Sequence, residues 1–123
     1  MSLSVTIIAK DTDFDTAGID KEIQYPFNEM FGAEAFRWQL WGHPVMKSIG
    51  CSLLYSLRTQ NVYVYDADIA KLKSELETVL INLNKIAAQT HIGKNMIEFR
   101  INNALETVRI ARKHKDKVGI AIG

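Results

Sequence analysis

The chain has 123 residues, of which 47% are hydrophobic and 24% are charged, and its formal net charge is +1. This composition is typical of one globular domain with a real core, and it excludes an intrinsically disordered chain. No apolar run approaches the roughly 18 residues that a membrane-spanning helix needs, and the N-terminus lacks the basic flank and apolar stretch of a signal peptide. Cys51 is the only cysteine, so no intrachain disulfide is expected and the cytoplasm is the predicted location.

The charges are distributed unevenly along the chain. Residues 1–36 hold seven acidic residues against two lysines, a formal charge of −5, whereas residues 98–117 hold six basic residues against three acidic ones, a formal charge of +3. Segments of opposite sign predict mutual attraction, either within the fold or between subunits. The acidic N-terminal third also argues against a general nucleic-acid-binding protein.

The first third of the chain predicts two strands with a helical segment between them. Residues 4–8 are rich in β-branched side chains, which predicts a strand buried on both faces. Apolar residues recur at helical spacing over 19–31 and Pro26 interrupts them, so a kinked helix or two short ones, ending near Gly32, is expected. Residues 36–41 (FRWQLW) alternate between two faces and predict a second strand.

The middle of the chain predicts a helix followed by a strand. Residues 42–44 (GHP) mark a turn, and the proline suits the first turn of a helix. Apolar residues then step by four, which favours helix through Arg58, although Gly50 leaves a hairpin strand over 50–57 as an alternative. Residues 61–66 (NVYVYD) alternate valine with tyrosine and predict a strand.

The clearest periodicity belongs to two long helices. Apolar residues step by three and four from Ile69 to Ile86 and again from Ile97 to Ala111, which is typical of amphipathic helices. The intervening HIGKN is a turn in which Gly93 is able to take a left-handed conformation.

These elements predict the fold class. The chain closes with VGIAI at 118–122, a further strand. We expect a single α+β domain over residues 1–123, with a small sheet of about three or four strands packed against a long antiparallel helical hairpin. The two helices of this hairpin are predicted at residues ~68–90 and ~94–115.

An acidic stretch near the N-terminus has nearly the ligand spacing of a calcium loop. Residues 11–22 place acidic residues at positions 1, 3, 5 and 12 of such a loop: Asp11, Asp13, Asp15 and Glu22. A calcium loop needs glycine at position 6 for its sharp turn, but Thr16 stands there and the nearest glycine is Gly18. The stretch therefore predicts a solvated connector that contacts a basic partner through its aspartates, and neither a metal ion nor a cofactor is expected.

Four residues near the GHP turn form a candidate binding site: Trp41, His43, Lys47 and Cys51. Trp41 is assigned to the surface of the predicted strand and Trp38 to its core face. On a continuous helix Lys47, Cys51 and Tyr55 would share one face, where the lysine could lower the pKa of the thiol. Free cysteine is nevertheless among the most often buried residues, so a structural Cys51 is the favoured interpretation.

The basic run near the C-terminus is a second candidate site. It contains Arg109, Arg112, Lys113 and Lys115. Its position at the end of a helix is explained by the helix dipole, which favours cations there. Nucleic-acid binding would need a stronger excess of positive charge interleaved with aromatic residues, so it remains a secondary alternative.

These observations lead to a hypothesis about function. Neither a nucleotide-binding fingerprint nor a nucleophile motif occurs in the sequence. Ile81 and Ala88 lie off the apolar stripe of the first long helix, which indicates either a further layer or a partner surface. We expect a non-catalytic protein that acts through protein–protein contact, as a homodimer or as an inhibitor or adaptor. In size and acidic charge it resembles bacterial immunity proteins; a small enzyme or ligand-binding domain with a pocket near residues 41–51 is the alternative.

Overall fold

The computed structural model describes residues 2–11 and 14–123. The strands are β1 (Ser2–Ala9), β2 (Met30–Ala33), β3 (Val62–Val64) and β4 (Val118–Ile122). The helices are α1 (Ala17–Asp20), α2 (Phe36–Gln39), α3 (Pro44–Ser48), α4 (Ser52–Ser56), α5 (Ala67–Ile81), α6 (Leu83–Thr90) and α7 (Lys94–Lys113). The predicted α+β class, with a four-stranded sheet and a long final helix, is confirmed.

The four strands form one antiparallel sheet in the order β2-β1-β4-β3. In β1 the buried residues Leu3, Val5 and Ile7 alternate with half-buried ones. Val5 pairs with Ile122 of β4, so the two strands turn their buried side chains to the same face. The prediction that β1 is buried on both faces is wrong, because an antiparallel sheet of this kind covers only one face with its core.

Helices α5 and α6 pack together against α7 and close the core over the sheet. The predicted first long helix is interrupted at Asn82, between α5 and α6. The Asn82 side-chain amide donates to the carbonyl of Thr78 at 2.8 Å. In the turn into α7, His91 takes the left-handed conformation with φ of 61°, and Gly93 does not. Within the described residues, no helix is both long enough and apolar enough to cross a membrane.

The segment between β1 and the GHP turn departs most from the sequence prediction. The expected helix over 19–31 is wrong: α1 has only four residues, and β2 begins at Met30. The expected strand over 36–41 is also wrong, because α2 occupies 36–39. The helix packs Phe36 partly against the core, and Leu40 and Trp41, which directly follow it, are fully buried. An apolar pattern of six residues fits this spacing of i, i+4 and i+5 as well as it fits alternation.

The predicted helix through Arg58 is divided into two short helices. Helix α3 begins at Pro44 as expected, and the side chain of His43 accepts a hydrogen bond from the Val45 N–H at 3.0 Å. Gly50, with φ of 85°, then redirects the chain into α4, a conformation that an L-residue adopts only at a cost. The alternative of a strand over 50–57 is excluded by α4.

Helix α7 holds the irregular segment before β2 in place through buried polar side chains. The Asn103 side chain accepts from the Asn28 N–H at 3.1 Å and donates to the Met30 carbonyl at 2.9 Å. One turn further along α7, Glu106 accepts from the Gln24 N–H at 3.0 Å. Because a segment without regular structure must pair its backbone groups elsewhere, these two side chains fix its course beside β1.

Candidate functional site

A groove of about 350 Å³ lies between β1 and the segment 20–29. Its apolar wall comes from Ile23, which is partly buried against the core, and from Phe27, which is half-buried. Its polar residues include two carboxylates, from Asp20 at the end of α1 and from Glu29 just before β2. The full lining is Val5, Thr6, Asp20, Ile23, Phe27, Asn28 and Glu29.

The position of Asp20 follows from the short helix that carries it. Asp15 accepts a hydrogen bond from the Ala17 N–H at 2.9 Å and so starts α1, which is the role usually filled by an N-cap residue. Thr16, at the N-cap position, makes no side-chain cap bond. Ile19 is buried and anchors the helix, so Asp20 beside it is directed to the surface at the groove.

Two carboxylates, Asp20 and Glu29, line this groove, and a third, Asp15, lies close enough to act on Asp20. Burial, followed by the negative charges of Glu29 and Asp15, raises the pKa of Asp20 above its usual range. Within residues 2–11 and 14–123, Asp15, Asp20 and Glu29 form no ion pair with any cationic side chain. A positive charge brought into the groove would therefore relieve repulsion that the fold leaves uncompensated.

An apolar wall beside unpaired carboxylates is suited to one kind of ligand group. A lysine or arginine side chain can place its aliphatic stem along Ile23 and Phe27 and its charge at the carboxylates. Comparison with protein-family models, curated proteins and solved structures gives no match for this chain. Function is therefore inferred from the chemistry of its own surfaces.

The fold directs the acidic residues of the calcium-like stretch 11–22 to different surroundings. Asp13 lies outside the described residues, and Asp11 is exposed. Glu22 turns to α7, where its carboxylate contacts Lys113 and His114 at 2.8 Å each. In the described part of the chain, no group of three or more His, Cys, Asp or Glu residues is arranged to hold a metal ion.

The two tryptophans have exchanged the roles expected of them. Trp41 is completely buried: its ring stacks on Phe31 at 4.2 Å, and its indole N–H donates to the Phe31 carbonyl at 3.0 Å. Trp38 is 50% exposed. The prediction of a surface Trp41 is wrong, because α2 replaces the expected strand and turns both Leu40 and Trp41 into the core.

The candidate set near the GHP turn is not brought together in one pocket. Trp41 and Cys51 are enclosed, so only His43 and Lys47 have surface to offer a ligand. A groove of about 390 Å³ nearby is lined by Lys47 and by residues of the segment 52–59, without the other three. The break between α3 and α4 also ends the common face expected for Lys47, Cys51 and Tyr55, although the Lys47 ammonium still lies 5.7 Å from the Tyr55 ring.

Cys51 is enclosed at the start of α4. Its thiol donates to the backbone carbonyl of Glu75 at 3.5 Å. Burial, reinforced by the charge of Glu75, raises the pKa of the Cys51 thiol to about 12. The thiol is therefore protonated at neutral pH, and it lacks the electropositive, exposed setting of a reactive cysteine.

Half of the basic run is neutralised by partners in the same fold. Arg109 makes two hydrogen bonds to Glu106, at 2.8 and 3.0 Å, and Lys113 pairs with Glu22. Arg112 and Lys115 line a cavity of about 410 Å³ at the start of α5, together with the carboxylates of Asp66 and Asp116. Nucleic-acid binding here remains a prediction, and mixed charges weaken its electrostatic basis.

Sequence reasoning did not find the groove residues Asp20, Ile23, Phe27 and Glu29 as a set. The acidic density of this region was the available signal. What brings the residues together is the path of the segment 20–29, which the hydrogen bonds from α7 determine and which no local pattern encodes.

Ile81 and Ala88 lie at the surface, with Ile81 83% exposed.

Proposed function

We propose that this protein is a non-catalytic binding protein that accepts a basic segment of another protein in the groove beside β1. The observation that carries this proposal is the pair of groove carboxylates, Asp20 and Glu29, which lies beside an apolar wall. Together with the nearby Asp15, these carboxylates have no cationic partner among the described residues. Such a groove supplies both charge complementarity and buried apolar area, the two components of a specific protein contact.

A catalytic function has less support from the same surfaces. The buried Cys51 thiol, with its pKa raised to about 12, is a poor nucleophile. His43 uses its side chain to cap α3. The proposal thus extends the expectation of an inhibitor- or adaptor-type protein, working in a reducing compartment such as the cytoplasm, where a single thiol is ordinary.

Formation of a homodimer is a separate part of the functional hypothesis drawn from the sequence. Ile81 is the most exposed aliphatic side chain at the surface of the helical layer, and large exposed apolar groups often mark contact surfaces. Sedimentation of the purified chain at tens of micromolar would test it, and a strict monomer would reject it.

A peptide titration tests the groove directly. The probe is a fluorescent hexapeptide in which lysine alternates with valine, compared with the same peptide carrying glutamate for lysine. We expect binding only of the lysine peptide, weakening as salt rises from low to high concentration because exposed charges are screened.

Charge-neutral variants provide the matched comparison. Asp20→Asn combined with Glu29→Gln should weaken lysine-peptide binding about tenfold, since two attractive contacts are lost. Asp68→Asn combined with Glu98→Gln changes the net charge equally at exposed sites outside the groove lining and should have little effect. Equal weakening by both double variants would mean that net charge alone attracts the peptide, and the proposal would fail.

A further inference from the structure

The two edges of the sheet, β2 and β3, differ in how their backbone groups are used. Side chains from elsewhere in the fold occupy the carbonyls of β2. The Asn103 amide donates to the Met30 carbonyl at 2.9 Å, and the Trp41 indole donates to the Phe31 carbonyl at 3.0 Å. An edge strand otherwise presents free N–H and C=O groups to which another strand can add. The β2 edge is thus partly closed to such an addition.

The pairing of β4 shows that β3 leaves one residue free at its outer edge. Ser4 of β1 exchanges both backbone hydrogen bonds with Gly123, at 2.9 and 3.0 Å. Because alternate residues of an antiparallel strand bond to the same neighbour, Ala121 also bonds to β1. Its partner across β3 is Tyr63, which therefore directs its N–H and C=O away from β4. Within residues 2–11 and 14–123 these two groups have no hydrogen-bond partner, and Tyr63 is 60% exposed, so this edge is open to solvent.

The segment around Tyr63 has none of the usual protection against strand addition. Residues 61–65 (NVYVY) contain neither a charged residue nor a proline, the two residue types that commonly protect an edge strand. Val62 and Val64 are buried in the core, and Tyr63 is directed to the outer face. Valine and tyrosine are among the residues best suited to strands, so this segment can both offer a free edge and serve as the strand that pairs with one.

We infer that two copies of this chain form a homodimer by antiparallel pairing of β3 about a two-fold axis at Tyr63. Tyr63 of each copy then exchanges both backbone hydrogen bonds with its counterpart, at the usual strand spacing of about 4.8 Å. The two sheets become one continuous sheet across the axis. The inference rests on the homodimer part of the functional hypothesis and is independent of the groove beside β1.

The charges that flank β3 favour a second copy as the occupant of this edge. In an antiparallel pair, residues that precede the strand in one copy lie toward residues that follow it in the other. Arg58 precedes β3 and Asp68 follows it; both are exposed, and neither forms an ion pair in the described part of the chain. The two-fold axis therefore brings opposite charges together at both ends of the paired strands.

Sedimentation of charge variants tests the position of the interface. The full chain is measured from about 1 to 200 micromolar, because a short paired edge makes a small interface that dissociates readily. Tyr63→Lys places two lysines beside each other at the axis and should raise the dissociation constant of the dimer at least about tenfold. Ile81→Lys is the matched control, since it adds the same charge at a position of the helical layer that is 83% exposed, and it should change the constant by less than about twofold.

The other outcomes of this experiment overturn the inference in distinguishable ways. Equal weakening by both variants would show that net charge alone governs association. Weakening by Ile81→Lys alone would place the interface on the helical layer. A wild-type chain that stays monomeric throughout would reject the homodimer altogether. The lysine-peptide titration of the groove is unaffected by each of these results, so the groove proposal is tested separately.

Amide hydrogen exchange gives a local readout on the unmodified chain. Exchange of the Tyr63 amide should slow as the concentration rises through the range of dimerisation. The Val62 amide bonds to Ile122 of β4 by the same alternation and should be protected at every concentration. A Tyr63 amide that exchanges equally fast in monomer and dimer would contradict the inference.

Tyr63→Pro removes the N–H that the inference assigns to the interface. Proline is tolerated where an edge strand directs its N–H outward, so this variant should fold and should dimerise at least about tenfold more weakly. Dimerisation as tight as that of the wild type would overturn the inference. Tyr63→Lys and the exchange measurement decide the matter if the proline variant fails to fold.

Discussion

The carboxylate of Glu75 caps a helix to which it does not belong, by accepting the backbone N–H of Leu54 at 3.0 Å. Its second oxygen accepts the Leu53 N–H, also at 3.0 Å. These are the second and third residues of α4, whose N–H groups an N-cap side chain usually satisfies. Cys51 occupies the N-cap position and makes no such bond, so a glutamate from α5 supplies the acceptor and ties the two helices together.

Removal of this cap should destabilise the protein. Glu75→Ala leaves two N–H groups at the start of α4 without partners in a buried site, and we expect a loss of about 2 kcal/mol in the free energy of unfolding. Urea denaturation measures it. Glu77→Ala is the matched control on the same helix, because Glu77 makes only an exposed contact with Lys73 at 3.5 Å, and it should change stability by less than about 0.5 kcal/mol. Equal losses for the two variants would refute the capping role.

The thiol beside this cap should be inert in the folded protein. A pKa of about 12, against 9.0 for a free thiol, lowers the thiolate fraction of Cys51 at pH 8 about a thousandfold. We therefore expect reaction with a soluble disulfide reagent to proceed at the rate of unfolding, and rapidly in denaturant. Fast labelling under native conditions would show an accessible thiolate and restore the cysteine as a candidate nucleophile.

The elements that the sequence predicted share a long or regular pattern. Helix α7 and the region of α5 and α6 repeat their apolar spacing over many turns, and β4 is a short apolar run at the end of the chain. Even there the break at Asn82 escaped prediction, because Leu83 and Ile86 continue the same spacing and are buried on the same side.

The region that escaped prediction depends on tertiary contacts. The helical spacing between Ile19 and Phe31 favours a helix, yet Phe31 lies in β2 and stacks on the Trp41 ring. The course of the preceding segment is set by Asn103, 75 residues away from Asn28. Local periodicity carries no record of such a partner, and for that reason both the segment and the groove it forms could not be derived from the sequence.

The predicted attraction between the acidic and basic ends is present within the fold and should make stability depend on pH. Hydrogen bonds from Lys113, and then from His114, hold the pKa of Glu22 below its usual range. A lowered pKa stabilises the fold at pH values above the ordinary glutamate range, and this contribution is lost as pH falls through the folded pKa. Glu22→Gln should therefore lower the melting temperature at pH 7, and the difference from the wild type should shrink toward zero in acid.

Two further variants test the assignment of that pH dependence. Lys113→Gln removes the first partner of Glu22. It should reproduce part of the pH-dependent loss of melting temperature expected for Glu22→Gln. Glu98→Gln neutralises an exposed carboxylate of α7 that has no partner in the described part of the chain. Its melting temperature should differ from that of the wild type by the same small amount at every pH. If the loss of melting temperature in Glu22→Gln stays constant from pH 7 to pH 3, then packing of the side chain, rather than the ion pair, causes that loss.

Asp20 in the groove should make stability depend on pH in the direction opposite to Glu22. At neutral pH its charge favours binding of a cationic partner and lowers the stability of the fold. Burial, and then Glu29 and Asp15, raise the pKa of Asp20, so its contribution to stability is fully present below the ordinary aspartate range and is lost as pH rises through the folded pKa. Asp20→Asn should therefore raise the melting temperature at pH 7, with the gain disappearing in acid, while it weakens binding of the lysine peptide. Thermal melts across pH and peptide titration at pH 7 measure the two effects on one variant. A variant that is less stable at pH 7, or one that binds the peptide as tightly as the wild type, would contradict the assignment of Asp20 to a site for a cationic segment.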